Sequence, residues 1–439
     1  MLIYVAAITP RMDYIFQHIF NNEFDLEYNF TTDKTAFENY DNAKINYSTE
    51  RISDEFFINA HSFLFDKLFG QKELFPTKKY GVTILFNTKT ACDVGFDIFS
   101  AVFYMLSRYE EYQDFAPDKF GRFPAIHSVA HKLGFLQFPV ADIWINILKE
   151  HLQKKYPSLQ FKQSQFNCIL TYDIDVAYQY CGRNIFKSGA AMIKDAVNFK
   201  FNDIYKRINT LAGNTKDPWD VYDQLTEVFS KNNFKSLFFF LLAYKGKYDR
   251  NLGYQTNKMK ELVKEISSFS EIGIHPSFAS FLKPQNILKE KMRLEKLSGK
   301  KIIKSRQHYL KISLPHTYQN LIKAGITEDY SMCFADMPGF RAGSCKPFYF
   351  YDLQNEKVTS LKIFPVTFMD GTFIQYMKST PEEALQNIYF LIQQIKNVNG
   401  TFISIWHNHT ISKTKLYKNW SEVHNKMIEK LIFISQSSL

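Results

Sequence analysis

Short runs of apolar and β-branched residues alternate with helical patterns along the C-terminal part of the chain. The runs predict strands at 166–172, 236–243, 271–275, 302–306, 361–367 and 401–407. Helical periodicity predicts helices between most of them, at 219–231, 255–269, 282–297, 316–323 and 381–397. Such alternation is typical of parallel strands joined by crossover helices. The pattern therefore predicts an α/β fold, with either a (β/α) barrel or an open sheet.

The first part of the chain has a less regular pattern. It predicts two strands and two helices, at 1–7, 80–86, 96–112 and 139–152. The segment 107–112 is rich in Arg and Glu, which is typical of a solvated face or an interdomain contact. The polar segment Lys154–Ser158 contains a proline and favours a boundary. Because 439 residues exceed one ordinary core, we predict a smaller α/β domain of unknown function at 1–160 and a second domain at 161–439.

Composition and charge narrow the classes of function. The net charge of +10 comes from scattered lysines, so the chain lacks the basic stripe of a nucleic-acid-binding protein. The five cysteines form no Cys-x-x-Cys pair, which favours a reducing compartment. The N-terminus lacks the features of a signal peptide, and the longest apolar run, 237–243, is too short to cross a bilayer. We expect a cytoplasmic protein without a transmembrane segment, in an oligomeric state that the sequence leaves open.

Ionisable or metal-binding residues follow the predicted strands and the segment 338–340. A lone His after a strand is more often structural than a ligand, and a lone Arg in a glycine loop usually serves backbone carbonyls or a surface ion pair. The carboxyl ends of parallel strands, however, meet at one rim, so the joint occurrence of these residues favours a real site. They are Asp173, Asp175, His275, Arg306, His308, Arg341, Asp370 and His407.

The chemistry that such a set permits is metal-assisted hydrolysis. Asp173 and Asp175 point to one face of an extended chain, roughly 6.5–7 Å apart, where two carboxylates repel unless a cation or a proton lies between them. In isolation, such a pair is as often a solvated loop. One carboxylate and imidazoles could hold a zinc-like ion that acidifies water and polarises a carbonyl. The second carboxylate would take the proton, and a histidine would protonate the leaving group.

The region from 166 to 439 resembles the polysaccharide deacetylases of the NodB-homology class, carbohydrate esterase family four. Thr171–Asp175 is similar to their first motif, Thr-Phe-Asp-Asp, although one residue separates the two acids here. Ile272–Ser277 is similar to their histidine motif, and Phe340–Ser344 resembles their arginine motif. Ile405–Asn408 looks like the motif that carries the catalytic acid. The motifs are short, and their order along the chain makes the resemblance specific.

The resemblance implies a distorted or incomplete (β/α) barrel, a carbohydrate substrate and a divalent metal, Zn²⁺ first and Co²⁺ or Ni²⁺ as alternatives. It also implies a role for six residues. Asp173 would be the base, and Arg341 would hold it in place. Asp175 and His275 would be metal ligands. His407 would be the catalytic acid, oriented by Asp370.

One departure from the family concerns the third metal ligand. The family carries a second histidine four residues after the first, and here that position is Ala279. Ser280 is a poor replacement for imidazole, so His308 is the better substitute. Over its whole length the chain looks like a Bacteroidetes subgroup of these proteins that has an extra N-terminal domain.

Two functions remain open from the sequence. The first is a metal-dependent hydrolase that removes an acetyl group from an N-acetylated carbohydrate. The alternative is a catalytically impaired protein of the same fold that binds carbohydrate or assists surface polysaccharide assembly. Ala279 favours the alternative, whereas retention of the other site residues favours the hydrolase. A different metal-dependent hydrolase on a barrel would share the residues and differ in substrate.

Overall fold

The computed structural model describes residues 1–66, 70–88, 90–183, 185–232 and 234–436. The strands are β1 (Leu2–Val5), β2 (Asn29–Thr31), β3 (Lys44–Ser48), β4 (Phe56–Asn59), β5 (Thr77–Lys79), β6 (Val82–Ile84), β7 (Asn167–Ile174), β8 (Lys235–Phe240), β9 (Glu271–Ile274), β10 (Lys304–Ser305), β11 (Glu328–Asp329), β12 (Phe348–Asp352), β13 (Lys357–Ile363), β14 (Phe368–Met369) and β15 (Thr401–His407).

The α-helices are α1 (Pro10–Phe16), α2 (Lys34–Glu38), α3 (Ile98–Leu106), α4 (Val129–Lys132), α5 (Val140–Lys155), α6 (Ile185–Val197), α7 (Phe201–Leu211), α8 (Tyr222–Asn232), α9 (Asn257–Phe269), α10 (Gln285–Ser298), α11 (His316–Lys323), α12 (Pro381–Asn397) and α13 (Lys418–Gln436). Among the residues described, none of these helices is both long and apolar enough to cross a membrane.

The N-terminal part contains a four-stranded parallel sheet in the order β2-β1-β3-β4 and a separate antiparallel hairpin, β5–β6. Helices α1, α3 and α5 pack through buried aromatic and aliphatic side chains. The predicted helix 96–112 ends early, because Arg108 adopts a left-handed backbone conformation with φ 53°. The following residues, Tyr109–Tyr112, form a short 3₁₀ turn.

The C-terminal part is built on a nine-stranded sheet in the order β12-β13-β11-β10-β9-β8-β7-β15-β14. All its neighbouring strands are parallel except β12, which pairs antiparallel with β13. In β8 every residue after Lys235 is buried, as expected for a strand covered on both faces. The register of β15 against β7 sets His407 directly opposite Asp173, so the two strand ends deliver both side chains to one rim.

The predicted alternation of strands and helices is confirmed. Each predicted strand overlaps an observed one, and α11 and α12 coincide with their predicted bounds. In α12 the pattern has a local cause: the Thr380 side chain accepts from the Glu383 N–H, and the Glu383 side chain accepts from the Thr380 N–H. The short strands β11 and β14, the strand β12 and the helical pair α6–α7 were not predicted.

A closed barrel is not confirmed, because the sheet does not close within the described residues. Its edges are β12 and β14. The segment 339–347 runs between them: the Gly339 N–H donates to Thr367 O just before β14, and β12 begins at Phe348. Phe340 N–H donates instead to Leu136 O of the N-terminal part. This segment therefore leads from one edge to the other without forming a strand, and the sheet stays open.

The sheet nevertheless curves around an interior apolar cluster. Side chains from non-adjacent strands and from segments after β11 and β13 meet there, among them Leu237, Phe239, Tyr330, Val366, Ile403 and Ile405. The N-terminal part packs on the outside, where Arg11 pairs with Glu356 at 2.6 Å and the Tyr14 hydroxyl donates to Tyr349 O. The division into domains at residue 160 stays a prediction.

Candidate metal centre and active site

Asp175, His275 and His308 form a cluster in which one ligand atom from each residue lies within 4.8 Å of the others. Asp175 follows β7, His275 follows β9, and His308 lies three residues beyond β10. The His275 Nε2 is 3.2 Å from Asp175 Oδ1, and the His308 Nε2 is 3.5 Å from Asp175 Oδ2. The structure thus brings the three predicted metal ligands together, including the substitute for the histidine absent at Ala279.

The two histidines are oriented by partners on their other ring nitrogen. The His275 Nδ1 lies 2.6 Å from the carbonyl oxygen of Arg306, which can only accept, so Nδ1 carries the proton. The His308 Nδ1 lies 2.9 Å from Asp249 Oδ1. Both Nε2 atoms therefore face Asp175, in the arrangement by which a carboxylate or carbonyl aligns a metal-binding imidazole.

Asp249 is fixed in turn by the backbone. It accepts hydrogen bonds from the N–H groups of Phe278 and Ala279, at 2.8 and 3.1 Å. Burial by itself raises the pKa of Asp249, but the bonds from His308 and Phe278 outweigh it and lower that pKa. The position that the family gives to a histidine, Ala279, thus supports the substitute ligand through its backbone N–H.

The donor set fits a zinc-like ion. The buried Oδ1 of Asp175 has no hydrogen-bond partner, and the lone pair of the His275 Nε2 faces it at 3.2 Å. Two acceptors in contact require a cation or a proton between them. Burial acts to lower the pKa of His308, but Asp175 and Asp249 raise it to about 9. Two imidazole nitrogens and one carboxylate, with room for water or substrate, are the ligands of a catalytic Zn²⁺ site.

The carboxylate of Asp173 is held by Arg306. The Arg306 Nη1 donates to Asp173 Oδ1 at 2.8 Å, and its Nε donates to Tyr330 O. The guanidinium lies 4.4 Å from the centre of the Phe239 ring, so the side chain crosses β8 on the inside of the sheet. Asp173 is 3% exposed, and its Oδ2 lies 3.8 Å from the His275 Nε2. The Asp173 carboxylate is therefore buried, fixed by Arg306 and adjacent to the candidate metal ligand His275.

The predicted contact between Arg341 and Asp173 is wrong. The Arg341 Nε and Nη2 donate to the carboxylate of Glu111, at 2.9 and 2.5 Å, and its Nη1 donates to Cys333 O. Burial favours a raised pKa for Glu111, but the charges of Arg341 and Arg108 hold that pKa at about 2. The order of the motifs along the sequence had suggested Asp173 as the partner of Arg341. In the structure, the buried carboxylate of Glu111 binds the Arg341 guanidinium through two hydrogen bonds instead.

The contact between Arg341 and Glu111 also shows which environment the segment 107–112 has. Arg108 and Glu111 are 1% and 7% exposed, so the segment is not a solvated face. It forms a buried contact between the N-terminal and C-terminal parts of the chain, which was the other interpretation of its charge pattern.

His407 is paired with Asp370 and also lies beside the cluster. The His407 Nδ1 lies 2.7 Å from Asp370 Oδ1, and the His407 N–H donates to Asp370 Oδ2. Burial acts to lower the pKa of His407, but the charges of Asp370, Asp175 and Asp173 raise it to about 10. Its Nε2 is 3.5 Å from Asp175 Oδ2. His407 is therefore a protonated imidazole aimed at the cluster, and the predicted pairing with Asp370 is confirmed.

These side chains line a cavity of ≈ 140 Å³. The N-terminal part contributes Arg122, which donates to Tyr309 O and to the Tyr376 hydroxyl. Arg122, Tyr309 and Asp249 were missed in the sequence, because none of them directly follows a strand. The signal for Arg306 was present, since it ends a predicted strand, but its role was given to Arg341.

Residues 1–157 match a family of unknown function, DUF7033, and no curated protein matches significantly. A solved structure from Mycobacterium smegmatis, assigned as a polysaccharide deacetylase, is 14% identical to this chain, with a TM-score of 0.41. The match covers 62% of this chain and 85% of the Mycobacterium smegmatis chain. One from Pseudomonas aeruginosa, with the same assignment, has 12% identity and a TM-score of 0.38, covering 61% and 84%.

A third solved structure, a pseudoenzyme of carbohydrate esterase family four from Bacillus anthracis, has 10% identity and a TM-score of 0.28, covering 61% of this chain and 62% of its own. Neighbours at such low identity include a pseudoenzyme as well as assigned deacetylases, so they do not define the activity of this chain. The activity has to be derived from its own side chains.

Proposed function

We propose that this protein is a metal-dependent hydrolase that removes an acetyl group from an N-acetylated carbohydrate. The observation that carries the proposal is the placement of a buried carboxylate and a partly buried histidine beside three metal-binding side chains. Asp175, His275 and His308 form the metal-binding set. Asp173, held by Arg306, lies near His275, and His407, held by Asp370, lies near Asp175.

A zinc-like ion in this set would lower the pKa of water and polarise the acetyl carbonyl. Asp173 would accept the proton of the attacking water, as a general base within reach of the reacting centre. Arg306, 2.8 Å from Asp173 Oδ1, would hold that carboxylate in position for the step.

His407 would protonate the amine that leaves. Its raised pKa, about 10, keeps the imidazole charged at neutral pH in the metal-free protein. Asp370 accepts from both the Nδ1 and the backbone N–H of His407, so the ring presents Nε2 to the cavity. Proton transfer from a histidine held in this way is the usual means of expelling a poor leaving group.

The alternative is a carbohydrate-binding protein without catalysis, and it is favoured by the lack of a histidine at Ala279. His308 lies beside Asp175 and His275 and counts against this alternative. The carbohydrate substrate and the cytoplasmic location rest on the sequence and stay predictions.

Metal content and acetate release test the proposal together. We expect the purified protein to bind about one equivalent of Zn²⁺, Co²⁺ or Ni²⁺ and to release acetate from N-acetylglucosamine oligosaccharides. His308→Ala should lose both properties, while His316→Ala, an exposed histidine on α11, should keep them. Metal binding without acetate release would favour the binding protein, and stoichiometric metal in H308A would remove His308 from the ligand set.

A further inference from the structure

A second cavity, of ≈ 810 Å³, lies between α7 and the segment 413–417. We call it the lysine cleft. Aromatic and lysine side chains from four separate segments line it, among them Tyr180, Lys206, Trp219, Lys413, Lys415 and Tyr417. None of these residues belongs to the metal cluster or to the base and acid beside it.

The cleft adjoins the catalytic cavity at His409. The His409 ring lines the catalytic cavity and lies 5.4 Å from the His407 ring, between ring centres. Its other neighbours are Trp219 and Tyr417, each 5.3 Å away. Burial, together with the charge of His407, lowers the pKa of His409 to about 4, so this ring is neutral at pH 7. An uncharged aromatic path therefore leads from the reacting centre into the lysine cleft.

The aromatic floor of the cleft is built into the fold. Asn408 Nδ2 donates to Trp219 O, which ties Trp219 to the residue that follows His407. Asp217 accepts from the backbone N–H groups of both Trp219 and Tyr180. The guanidinium of Arg207 lies 4.7 Å from the centre of the Tyr180 ring. These contacts hold the rings in place before a ligand arrives, which lowers the entropic cost of binding.

The rim of the cleft carries unbalanced positive charge. Four lysines line it, and Lys216 is paired with Asp220 and Asp223. Lys206, Lys413 and Lys415 have no carboxylate partner in the part of the chain that the structure describes. Asp203 is the one carboxylate among the lining residues. A cleft lined by one sign of charge concentrates ligands of the opposite sign.

We infer that the lysine cleft binds the continuation of an anionic glycan chain whose N-acetyl group lies in the catalytic cavity. This inference rests on the proposed function for the position of the reacting group. Aromatic rings cover the apolar faces of sugar rings, and lysines meet carboxylate or sulfate groups along the chain. A ligand that reaches from the acetyl group beside His407, past His409 and into the cleft at Tyr417 is longer than a single acetylated sugar, so the substrate class is an acidic oligosaccharide or polysaccharide.

Binding measurements on the full-length protein test the inference. The probes are a hyaluronan oligosaccharide, which alternates N-acetylglucosamine with glucuronate, and a neutral chitin oligosaccharide of equal length. At low salt, we expect hyaluronan to bind more tightly than the chitin oligosaccharide. Lys413→Ala/Lys415→Ala should raise the Kd for hyaluronan roughly tenfold, as two exposed ion pairs would, and leave the Kd for chitin unchanged. Trp219→Ala should weaken both.

Controls separate the possible outcomes. The variant K283A/K289A, which removes two exposed lysines of the segment 283–289 outside the cleft, should bind hyaluronan like the unmodified protein. A chondroitin sulfate oligosaccharide distinguishes sulfate from carboxylate as the preferred group. Equal affinity for hyaluronan and chitin, or an unchanged Kd in K413A/K415A, would overturn the inference.

Exposed apolar side chains near the α6–α7 turn, Phe199 and Phe201, allow a competing outcome in which the lysines face an anionic membrane. Lysine-dependent binding to phosphatidylglycerol vesicles, without binding to hyaluronan, would replace the glycan by a lipid surface and overturn the inference. Neither result depends on catalysis, so the proposed function is judged separately, by metal content and acetate release.

Discussion

At the residue scale, the two arginines of the C-terminal part have exchanged the roles expected of them. Arg306 is fully buried beside Asp173, and Arg341 pairs with Glu111. Arg306 reaches Asp173 because β10 and β7 belong to one curved sheet and its side chain crosses the ring of Phe239. The separation of Asp173 and Arg306 along the sequence does not reveal that their side chains are in contact.

This exchange predicts different defects for the two arginines. Arg306→Gln should lower kcat by about 10²-fold, because Asp173 loses the guanidinium that holds its carboxylate in place. Arg341→Gln should leave kcat unchanged but lower the free energy of unfolding by about 3–5 kcal/mol, since Glu111 keeps a buried charge without this partner.

Steady-state kinetics and urea unfolding measure the two effects. Arg306→Lys is the matched variant, and it should restore part of kcat because it keeps the positive charge. A loss of kcat in R341Q, with none in R306Q, would return the tethering role to Arg341.

Asp249 shows what a single sequence conceals at this scale. It lies nine residues beyond the end of β8, in a loop without a periodic pattern. It nevertheless aligns His308 and accepts hydrogen bonds from the two backbone N–H groups that follow the histidine motif. The substitute ligand and its carboxylate partner are recognised together only after the chain has folded.

At the element scale, the strands and helices with strong local signals were predicted most accurately. Helix α12 has a proline in its first turn and a capping box between Thr380 and Glu383, and its observed bounds equal the predicted ones. The two-residue strands β10, β11 and β14 have little periodicity of their own. Tertiary contacts with longer neighbours define them instead.

The cap of α12 gives a prediction about stability. Thr380→Ala removes the oxygen that accepts the Glu383 N–H and should lower the free energy of unfolding by about 1 kcal/mol. Thr380→Ser keeps that oxygen and should cost less. Urea unfolding with an unchanged m-value measures both. Equal losses in the two variants would assign the effect to the methyl group rather than to the cap.

At the scale of the whole molecule, the N-terminal part is joined to the C-terminal part by buried polar contacts. Asp142 of α5 accepts from the Ser344 hydroxyl and the Cys345 N–H, both at 2.8 Å. Lys346 pairs with Glu23 at 2.7 Å. Arg122 also reaches the catalytic cavity from the N-terminal part. The N-terminal part therefore supports the loop after Arg341 and contributes to the wall of the site.

Asp142 predicts a pH dependence of stability. Burial raises its pKa to about 6, against the charge of Lys346, which lowers it. An acid whose pKa is raised on folding binds its proton more tightly in the folded state. The contribution of Asp142 to the free energy of unfolding is therefore complete below about pH 4. It is lost as pH rises through about 6, and the loss is on the order of 3 kcal/mol.

Unfolding measured between pH 4 and pH 7.5 tests this sign. In Asp142→Asn, the decline of the unfolding free energy over this range should be smaller than in the unmodified protein. Asp41→Asn, at an exposed position, is the control and should leave the decline unchanged. A steeper decline in D142N would contradict the assignment.

The sequence by itself determined the alternation of strands and helices and which side chains stand at the strand ends. It did so because burial imposes periodicity on each element and because parallel strands share one rim. It thereby predicted Asp173, Asp175, His275, His308, Asp370 and His407 as neighbours.

Only the tertiary structure decided that the sheet stays open, that Arg306 replaces Arg341, and that Asp249 and Arg122 support the site. Those contacts join residues that are far apart in the chain, and their geometry depends on the curvature of the sheet and on the packing of the N-terminal part. Local patterns carry no information about either.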